Sequence, residues 1–171
     1  MRTRTTIAAG FLIATATVLH VAESWLPVPI PIPGVKLGLA NIVTLVALLW
    51  LGSGVAVSIV IGRVLISSFL SGSIMGPSFI MSLTGAITSL LIMDFTYRYG
   101  NKYFSIVGIS VIGAAIHGVS QLLAASLMVS SINVLWYIPW LMLFAVPTGI
   151  VTGLAAGFFL NHPITFPYLD K

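Results

Sequence analysis

The sequence predicts an all-α membrane protein, built as a bundle of six transmembrane helices. Apolar residue types make up 58% of the 171 residues and charged types only 6%, against about a quarter in soluble domains. The apolar residues are gathered in six runs, each near the length of about 20 residues that a helix needs to cross the hydrocarbon core of a bilayer. Composition and run length therefore both place the chain in a membrane.

Short stretches of turn-forming or polar residues separate the six runs. Gly52-Ser53-Gly54 predicts a tight turn, residues 71–77 a loop and residues 98–102 a polar bend, next to which Asp94 and Arg98 have the spacing of a local ion pair. The helices are expected at residues 6–24, 36–51, 54–71, 77–97, 104–130 and 135–160. Since no linker or low-complexity segment interrupts them, we expect residues 1–171 to form one integral membrane domain.

The first run begins like a secretory signal peptide, because Arg2 and Arg4 precede the apolar residues. A cleaved signal is the poorer interpretation, since no small-residue cleavage site follows and the run continues to His20 and Glu23. We therefore interpret residues 6–24 as the first membrane helix.

The basic residues predict the orientation of the bundle in the membrane. With a cytoplasmic N-terminus, the basic residues of the two termini and of the 98–102 bend all lie inside, where such residues are enriched in membrane proteins. Lys36 is then the only basic residue in a connection on the outer side. The sequence thus predicts that both termini are cytoplasmic, an N-in/C-in topology.

The connection between the first two helices carries prolines at positions 27, 29, 31 and 33. Proline fixes φ and lacks a backbone N–H, so this proline-rich loop (residues 25–35) is expected to be extended rather than helical. It lies on the outer side in the predicted orientation, and it is too apolar for an ordinary solvent-exposed loop. We interpret it as a lid over a binding site, with Pro31, Pro33 and Gly34 in the part that closes.

Ionisable and amide side chains recur within the predicted helices, where their burial is costly and usually marks a functional cavity. His20 and Glu23 share a face of the first helix, and His117 and Gln121 share a face of the fifth. The candidate ligand-binding residues on all the helices are Arg63, Asn41, His117, Gln121, His20, Glu23 and Lys36. In the predicted orientation they lie at the midplane or in the outer half, so we expect one ligand cavity that opens outward.

Positive charge dominates among these candidates, since Lys36 and Arg63 are accompanied by a single acidic residue, Glu23. This balance favours a ligand with an anionic or carbonyl-rich part, for which arginine offers a planar fork of donors. An internal network in which Arg63 pairs with Glu23 is the alternative, and the two arrangements are compatible.

The sequence predicts no catalytic residue, no metal site and no cofactor. His20, Glu23 and His117 are of types that bind metals, but nothing in the sequence brings them to bonding distance. The chain has no cysteine, and its basic residues are scattered rather than clustered as in nucleic-acid-binding proteins. It also has no phosphate-binding loop, so any ATP hydrolysis must come from partners.

Small residues at four-residue spacing mark surfaces where membrane helices can approach closely. Gly10 and Ala14 form such a pair on the first helix, and Gly149 and Gly153 form one on the sixth. We expect these residues to dock a protein partner, and packing within the chain is the alternative.

Three segments resemble a known family: PIPGVKLGLANIVTLVAL at residues 31–48, GRVLISSFLSGS at 62–73 and FIMSLTGAITSLLIM at 79–93. They are similar to the Gx transporter family, also labelled heptaprenyl diphosphate synthase component I, and through it to the S components of energy-coupling-factor (ECF) transporters. The resemblance covers about the whole chain. Its most specific residues are Pro33, Gly34, Lys36, Leu37, Gly38 and Asn41.

The resemblance to S components implies a multi-pass protein of the bacterial plasma membrane that captures a small nutrient or cofactor precursor from the outer face. Such a subunit contacts lipid and docks, through small residues of its first helix, on a transmembrane coupling protein driven by two ATPase subunits. Its first outer loop, here the proline-rich loop, closes over the ligand. We expect Arg63, Asn41, His117 and Gln121 to bind the polar part of the ligand, with the other candidates at the rim.

The synthase label implies a different activity, which the acidic residues do not support. Prenyl diphosphate synthesis needs clustered aspartates that hold magnesium, whereas Glu23, Asp94 and Asp170 are the only acidic residues and are expected on opposite sides of the membrane. We therefore expect no enzyme. Two alternatives stay open: a non-catalytic subunit associated with isoprenoid or quinone synthesis or a membrane redox system, and a standalone proton-coupled carrier that uses Glu23 and His117.

Overall fold

A computed structural model describes residues 3–25 and 39–161 of the chain. These residues form six α-helices and one short 3-10 helix, with no strand in the described ranges, which confirms the all-α prediction. The helices are α1 (Thr3–Trp25), α2 (Leu39–Leu51), α3 (Ser53–Leu70), α4 (Pro77–Gly100), α5 (Ile106–Val129) and α6 (Ile138–Asn161), and the 3-10 helix (Ile132–Tyr137) leads into α6.

Most helix bounds differ from the predicted ones by one to three residues, for local reasons. The fifth helix begins at Ile106 rather than at residue 104, because the Ser105 hydroxyl caps it by accepting a hydrogen bond from the Gly108 backbone N–H. The sixth begins at Ile138 rather than at residue 135, since the preceding residues form the 3-10 helix. The predicted start of the second helix, residues 36–38, lies outside the described ranges.

By length and composition, five of the described helices can cross a membrane, and α2 is the exception. Its 13 described residues extend about 20 Å, less than the roughly 30 Å of a hydrocarbon core, and the residues before Leu39 lie outside the described ranges. It contacts α1, α3, α4 and α6, and the side chains of Leu45 and Ala47 are fully buried. The described part of α2 is therefore internal to the bundle, as a helix apolar on all sides requires.

The outer surface of the bundle is covered by large apolar side chains. Phe69, Leu127, Leu143 and Phe158 are each more than half exposed, whereas Arg63 and several hydroxyl-bearing side chains are buried. Exposed apolar surface on this scale marks a lipid-facing or interaction surface rather than a soluble exterior. With the five long apolar helices, it identifies a multi-pass membrane protein in contact with lipid.

Arg98 joins the ends of two helices, α4 and α3, at one end of the bundle. Its Nε donates to the Asp94 carboxylate at 2.9 Å, which confirms the predicted ion pair, and its Nη2 donates to the Ser53 hydroxyl at 2.7 Å. These bonds hold the end of α4 beside the start of α3. Between α2 and α3 the only connecting residue is Gly52, whose φ of 84° suits glycine. We call this end of the bundle the Arg98 end.

The backbones of α5 and α6 approach each other closely at two glycines of α6. A β-carbon placed on Gly149 would stand 2.5 Å from the Cα atom of Val111, and one on Gly153 would stand 2.6 Å from the Cα atom of Val107. Both glycines are buried. Their absence of side chains lets the two backbones approach, as small residues do in membrane helix pairs.

Candidate ligand-binding cavity

A cavity of about 60 Å³ lies inside the bundle, and polar side chains from all six helices line it. The lining residues of α4, α5 and α6 each extend over twelve sequence positions, at 82–93, 110–121 and 141–152. With a rise of about 1.5 Å per residue, this is about 16 Å along each helix. The polar lining residues are His20, Asn41, Arg63, Ser82, Ser89, Ser110, His117, Gln121, Thr148 and Thr152. The cavity is therefore narrow and long, and its polar groups are spread along a lining that is otherwise apolar.

Five of the seven candidate ligand-binding residues line this one cavity. They come from α1, α2, α3 and α5, and they are His20, Asn41, Arg63, His117 and Gln121. The other two candidates lie outside the described residues, Glu23 in its side chain and Lys36 entirely, as do the lid residues Pro31, Pro33 and Gly34. The structure thus brings together the described candidates, and their binding of a ligand stays a prediction.

Arg63 and Asn41 form a direct contact between α3 and α2. The Nη2 atom of Arg63 donates to the side-chain oxygen of Asn41 at 3.2 Å, and Arg63 is only 4% exposed. Arginine keeps its proton at any accessible pH, so a positive charge is held inside the bundle. Asn41 supplies a neutral oxygen, which orients the guanidinium without cancelling its charge.

Gly85 on α4 makes room for the two candidates on α5. A β-carbon at Gly85 would stand 2.7 Å from Cγ of Gln121, 3.0 Å from the backbone oxygen of His117 and 3.2 Å from its ring Cε1. Gln121 is 8% exposed, and Gly85 is buried. The sequence analysis missed Gly85, since its role depends on how α4 and α5 pack and the only signal was a glycine inside an apolar helix.

Hydroxyl groups line the part of the cavity towards the Arg98 end, and the sequence analysis missed them as site residues. Ser89 on α4 donates to the backbone oxygen of Gly113 on α5 at 2.8 Å, and so joins the two helices. Ser110 and Thr152 are buried nearby on α5 and α6. This part of the cavity offers neutral donors and acceptors but no fixed charge.

The volume limits what the cavity can enclose in this arrangement of helices. Pockets that hold a whole drug-sized ligand measure roughly 300–1,000 Å³, several times the 60 Å³ found here. The cavity therefore takes one chemical group of a larger molecule, or a few water molecules. A complete nutrient needs additional volume beyond this lining.

No group of three or more His, Cys, Asp or Glu residues that could hold a metal ion occurs in the described part of the chain. The trio considered from the sequence includes Glu23, whose side chain is not among the described ones. The metal alternative for His20, Glu23 and His117 is thus untested by the geometry.

The four predicted docking residues fall into two groups. Gly10 and Ala14 are exposed on α1, and a β-carbon at Gly10 would meet no atom within 4 Å. Gly149 and Gly153 are instead buried against α5. For these two glycines the structure supports the alternative, packing within the chain. Of the four residues, only Gly10 and Ala14 are exposed and available for docking a partner.

The heptaprenyl diphosphate synthase component I family model matches residues 12–159, which is most of the chain and covers α2 to α5 entirely and most of α1 and α6. Neither the curated proteins nor the solved structures contain a significant match to the sequence. The matched segment contains all the described candidate ligand-binding residues.

Proposed function

The chain belongs to the heptaprenyl diphosphate synthase component I family, and on that premise we propose that it is the substrate-binding S component of an ECF-type importer. It binds a small nutrient or cofactor precursor from the outer face of a bacterial plasma membrane. The single observation that carries the proposal is the internal cavity in which polar side chains from all six helices meet. Ionisable side chains at membrane depth are costly and usually mark a substrate or ion pathway.

The proposed orientation is N-in/C-in, with the Arg98 end of the bundle in the cytoplasm. It rests on the excess of basic residues in the connections that then face inward. In this orientation the proline-rich loop lies outside, directly after α1 in sequence and before α2. Closing of this loop over the ligand, through Pro31, Pro33 and Gly34, completes the binding site.

The proposed binding mechanism divides the candidates by their depth. Arg63, Asn41, His117 and Gln121 hold the polar part of the ligand inside the bundle. At the rim, His20, Glu23 and Lys36 contact the ligand as it enters. The Arg63–Asn41 hydrogen bond supports this division, because it fixes the guanidinium towards residues that share the cavity.

Transport requires partners, since the chain has no phosphate-binding loop of its own. The proposed partners are a transmembrane coupling protein and two ATPase subunits, and the proposed docking surface is the exposed face of α1 around Gly10 and Ala14. Ile7 and Phe11 on the same helix are also largely exposed, so a partner helix meets a continuous apolar face with two small residues in it.

A catalytic role in prenyl diphosphate synthesis is not proposed. Such chemistry needs several carboxylates on one magnesium site, and the chain has three acidic residues in all. Asp94 is one of them, and it is bound to Arg98 at the Arg98 end of the bundle rather than at the cavity. The small number of carboxylates and the position of Asp94 support a non-catalytic subunit.

The second candidate function is a non-catalytic membrane subunit of an isoprenoid or quinone synthesis system, or of a redox system. The observation in its favour is the family description, which names a component of a synthase. In that role the polar interior is structural and the chain retains no soluble ligand. Ligand retention therefore separates the two functions.

The test combines ligand retention with reconstituted uptake. We expect the purified protein to carry a small molecule detectable by native mass spectrometry, and proteoliposomes to import it only when the coupling protein and ATPases are present with ATP. Arg63→Gln and Asn41→Ala should each reduce retention at least tenfold, whereas Arg98→Gln, the loss of a cation outside the cavity, should not. A protein that retains nothing and binds nothing from a nutrient panel contradicts the proposal and favours the synthase subunit.

A further inference from the structure

We infer that Gln121 binds an uncharged amide, a carboxamide or a lactam, of the molecule that the protein captures. The inference rests on the proposed function and names the chemical class of the group that the cavity recognises. Its basis is the hydrogen-bonding capacity of the buried Gln121 side chain and the residues that pack beside it.

The ionisable side chains of the lining are engaged within the protein. Arg63 donates to Asn41 and has a further interaction, and His20 and His117 each have an interaction as well. Their presence in the lining therefore does not require a charged ligand, and the recognition of a ligand is sought among the neutral groups.

Three neutral side chains of the lining lack a hydrogen bond within the described residues: Gln121, Ser110 and Thr152. Each is more than nine-tenths buried. A serine or threonine hydroxyl can turn to a backbone oxygen of its own helix, so Ser110 and Thr152 place no strict demand on a ligand. The amide of Gln121 has an NH₂ donor and a carbonyl acceptor, which one backbone oxygen cannot satisfy together. Since buried amides are nearly always bonded, Gln121 requires a partner from the cavity.

Packing fixes where the Gln121 side chain lies. Its Cγ would stand 2.7 Å from a β-carbon on Gly85, so its stem packs on α4 where that helix has no side chain. Gly118, three residues before Gln121, lies on the same face of α5, and Leu141 of α6 would stand 3.7 Å from a β-carbon there. Gly118, Leu141 and Phe144 also line the cavity. The amide is thus presented beside an apolar wall, the combination typical of sites for small uncharged molecules.

An amide is the uncharged group whose hydrogen bonds match those of Gln121. A carboxamide or lactam carries a donor and an acceptor on neighbouring atoms, as glutamine does, so two antiparallel N–H···O bonds satisfy both ends of the glutamine amide. A carboxylate only accepts and an ammonium only donates. Each would leave one end of the buried glutamine amide unbonded and would bring a charge beside the apolar wall.

The volume selects one group rather than a whole molecule. A cavity of about 60 Å³ has room for an amide group together with little else. The amide is therefore one end of the captured molecule, and the remainder lies outside the described lining.

Acetamide, acetone and acetate test the inference, because they have nearly the same shape and differ in hydrogen bonding and charge. Their binding to the purified protein in detergent is measured by saturation-transfer NMR, which detects weak ligands. We expect acetamide to bind at least fivefold more tightly than acetone or acetate, since a site built to hydrogen-bond a group rejects analogues that lack it. A cavity that holds only water shows no preference for acetamide. That result, or tighter binding of acetate, overturns the inference.

Variants of Gln121 assign the preference to this residue. Gln121→Met keeps an unbranched side chain of similar length and removes both hydrogen bonds, so it should abolish the preference for acetamide over acetone. Asn101→Ala is the control, because it removes an amide from an exposed residue outside the cavity, and it should bind acetamide as the wild type does. Where Gln121→Met does not fold, Gln121→Asn, whose amide is one methylene shorter, should weaken acetamide binding at least threefold. An unchanged preference for acetamide in the folded Gln121 variant overturns the inference.

The experiment also distinguishes failure of this inference from failure of the proposed function. If ATP-dependent import with the ECF partners is found for a molecule without an amide and is indifferent to Gln121→Met, the inference is wrong and the importer function stands. If acetamide binds through Gln121 but no molecule is retained or imported, the amide site stands and the importer function is wrong.

Discussion

Arg63 on α3 donates through Nη2 to the side-chain oxygen of Asn41 on α2, across 22 residues of sequence and 3.2 Å of space. Asn41 lies on the internal helix α2, two residues beyond Leu39, the first residue of its described part. Any group that binds Arg63 therefore also acts on the helix that follows the proline-rich loop. Within the described residues, this hydrogen bond joins the cavity residue Arg63 to the helix that follows the proline-rich loop in sequence.

The Arg63–Asn41 hydrogen bond should appear as an energetic coupling in a double-mutant cycle. We expect the losses of stability from Asn41→Ala and Arg63→Gln to be non-additive by about 0.5–1.5 kcal/mol, since hydrogen bonds between membrane helices fall in this range. The measurement is unfolding in detergent of the wild type, the two single variants and the double variant. Asn41→Ala combined with Arg98→Gln is the control, and additivity in both cycles would contradict the contact.

The α5–α6 contact predicts that substitution by alanine destabilises the protein at two glycines of α6 but not at a third glycine on the same face. Gly149→Ala and Gly153→Ala place a methyl group 2.5 Å and 2.6 Å from backbone atoms of α5, which cannot move as a flexible side chain does. Overpacking of this kind costs about 1–3 kcal/mol. We therefore expect both variants to lower the unfolding temperature of the purified protein.

Gly157→Ala is the matched control for these two variants, because a β-carbon there meets no atom within 4 Å. Alanine is the better helix former by about 1 kcal/mol, so this variant should be neutral or more stable than the wild type. Equal destabilisation by all three changes would show that the close contact with α5 does not exist.

The fold was largely predictable because membrane helices are recognised by uninterrupted apolar length. The Gly52 turn was correct, and the bounds of the six runs were correct to within a few residues wherever the structure describes them. The start of α6 was not, since Ile132 to Tyr137 are as apolar as the helix that follows and hydropathy does not distinguish a 3-10 helix from an α-helix. That α2 is internal is likewise a property of the packing.

Only those cavity residues whose burial in a membrane is costly could be predicted from the sequence. Strongly polar residue types are rare inside membrane helices, so Arg63, Asn41 and Gln121 each indicated a functional site from the sequence alone. Hydroxyl groups give no such signal, because a serine or threonine can bond to its own helix, as Thr44 does to the backbone oxygen of Ala40. Gly85 becomes a site residue only once α5 is known to lie against α4.

Gly85→Ala should weaken ligand retention more than it lowers stability. Its methyl group would stand 2.7 Å from Cγ of Gln121 and 3.2 Å from the ring of His117, and these side chains can yield by rotating within the cavity. The backbone oxygen of His117, 3.0 Å away, must also shift, which adds a smaller cost in stability. We expect retention of the copurified molecule to fall at least fivefold in native mass spectrometry. Gly157→Ala is the control, and unchanged retention by Gly85→Ala would show that Gly85 does not position the two residues.

Ser89→Ala should destabilise the α4–α5 contact. The buried Ser89 hydroxyl donates to the Gly113 oxygen on the other helix at 2.8 Å, and loss of such a bond costs about 0.5–1.5 kcal/mol. Ser58→Ala is the control, since the exposed Ser58 hydroxyl bonds only to Gly54 within its own helix. Equal unfolding temperatures of the two variants would contradict an interhelical role for Ser89.

The exposed face of α1 should govern assembly with the coupling partner without affecting the fold. Ala14 is exposed, so Ala14→Trp should leave the unfolding temperature and ligand retention unchanged, while its bulk keeps a partner helix from approaching. We expect the yield of complex with the coupling protein and ATPases, measured by co-purification, to fall at least tenfold. Val151→Trp is the control, because Val151 is 61% exposed on α6, a different surface of the bundle. If Ala14→Trp assembles as well as Val151→Trp, the partner binds elsewhere. If only Val151→Trp fails, the docking surface lies on α6 instead.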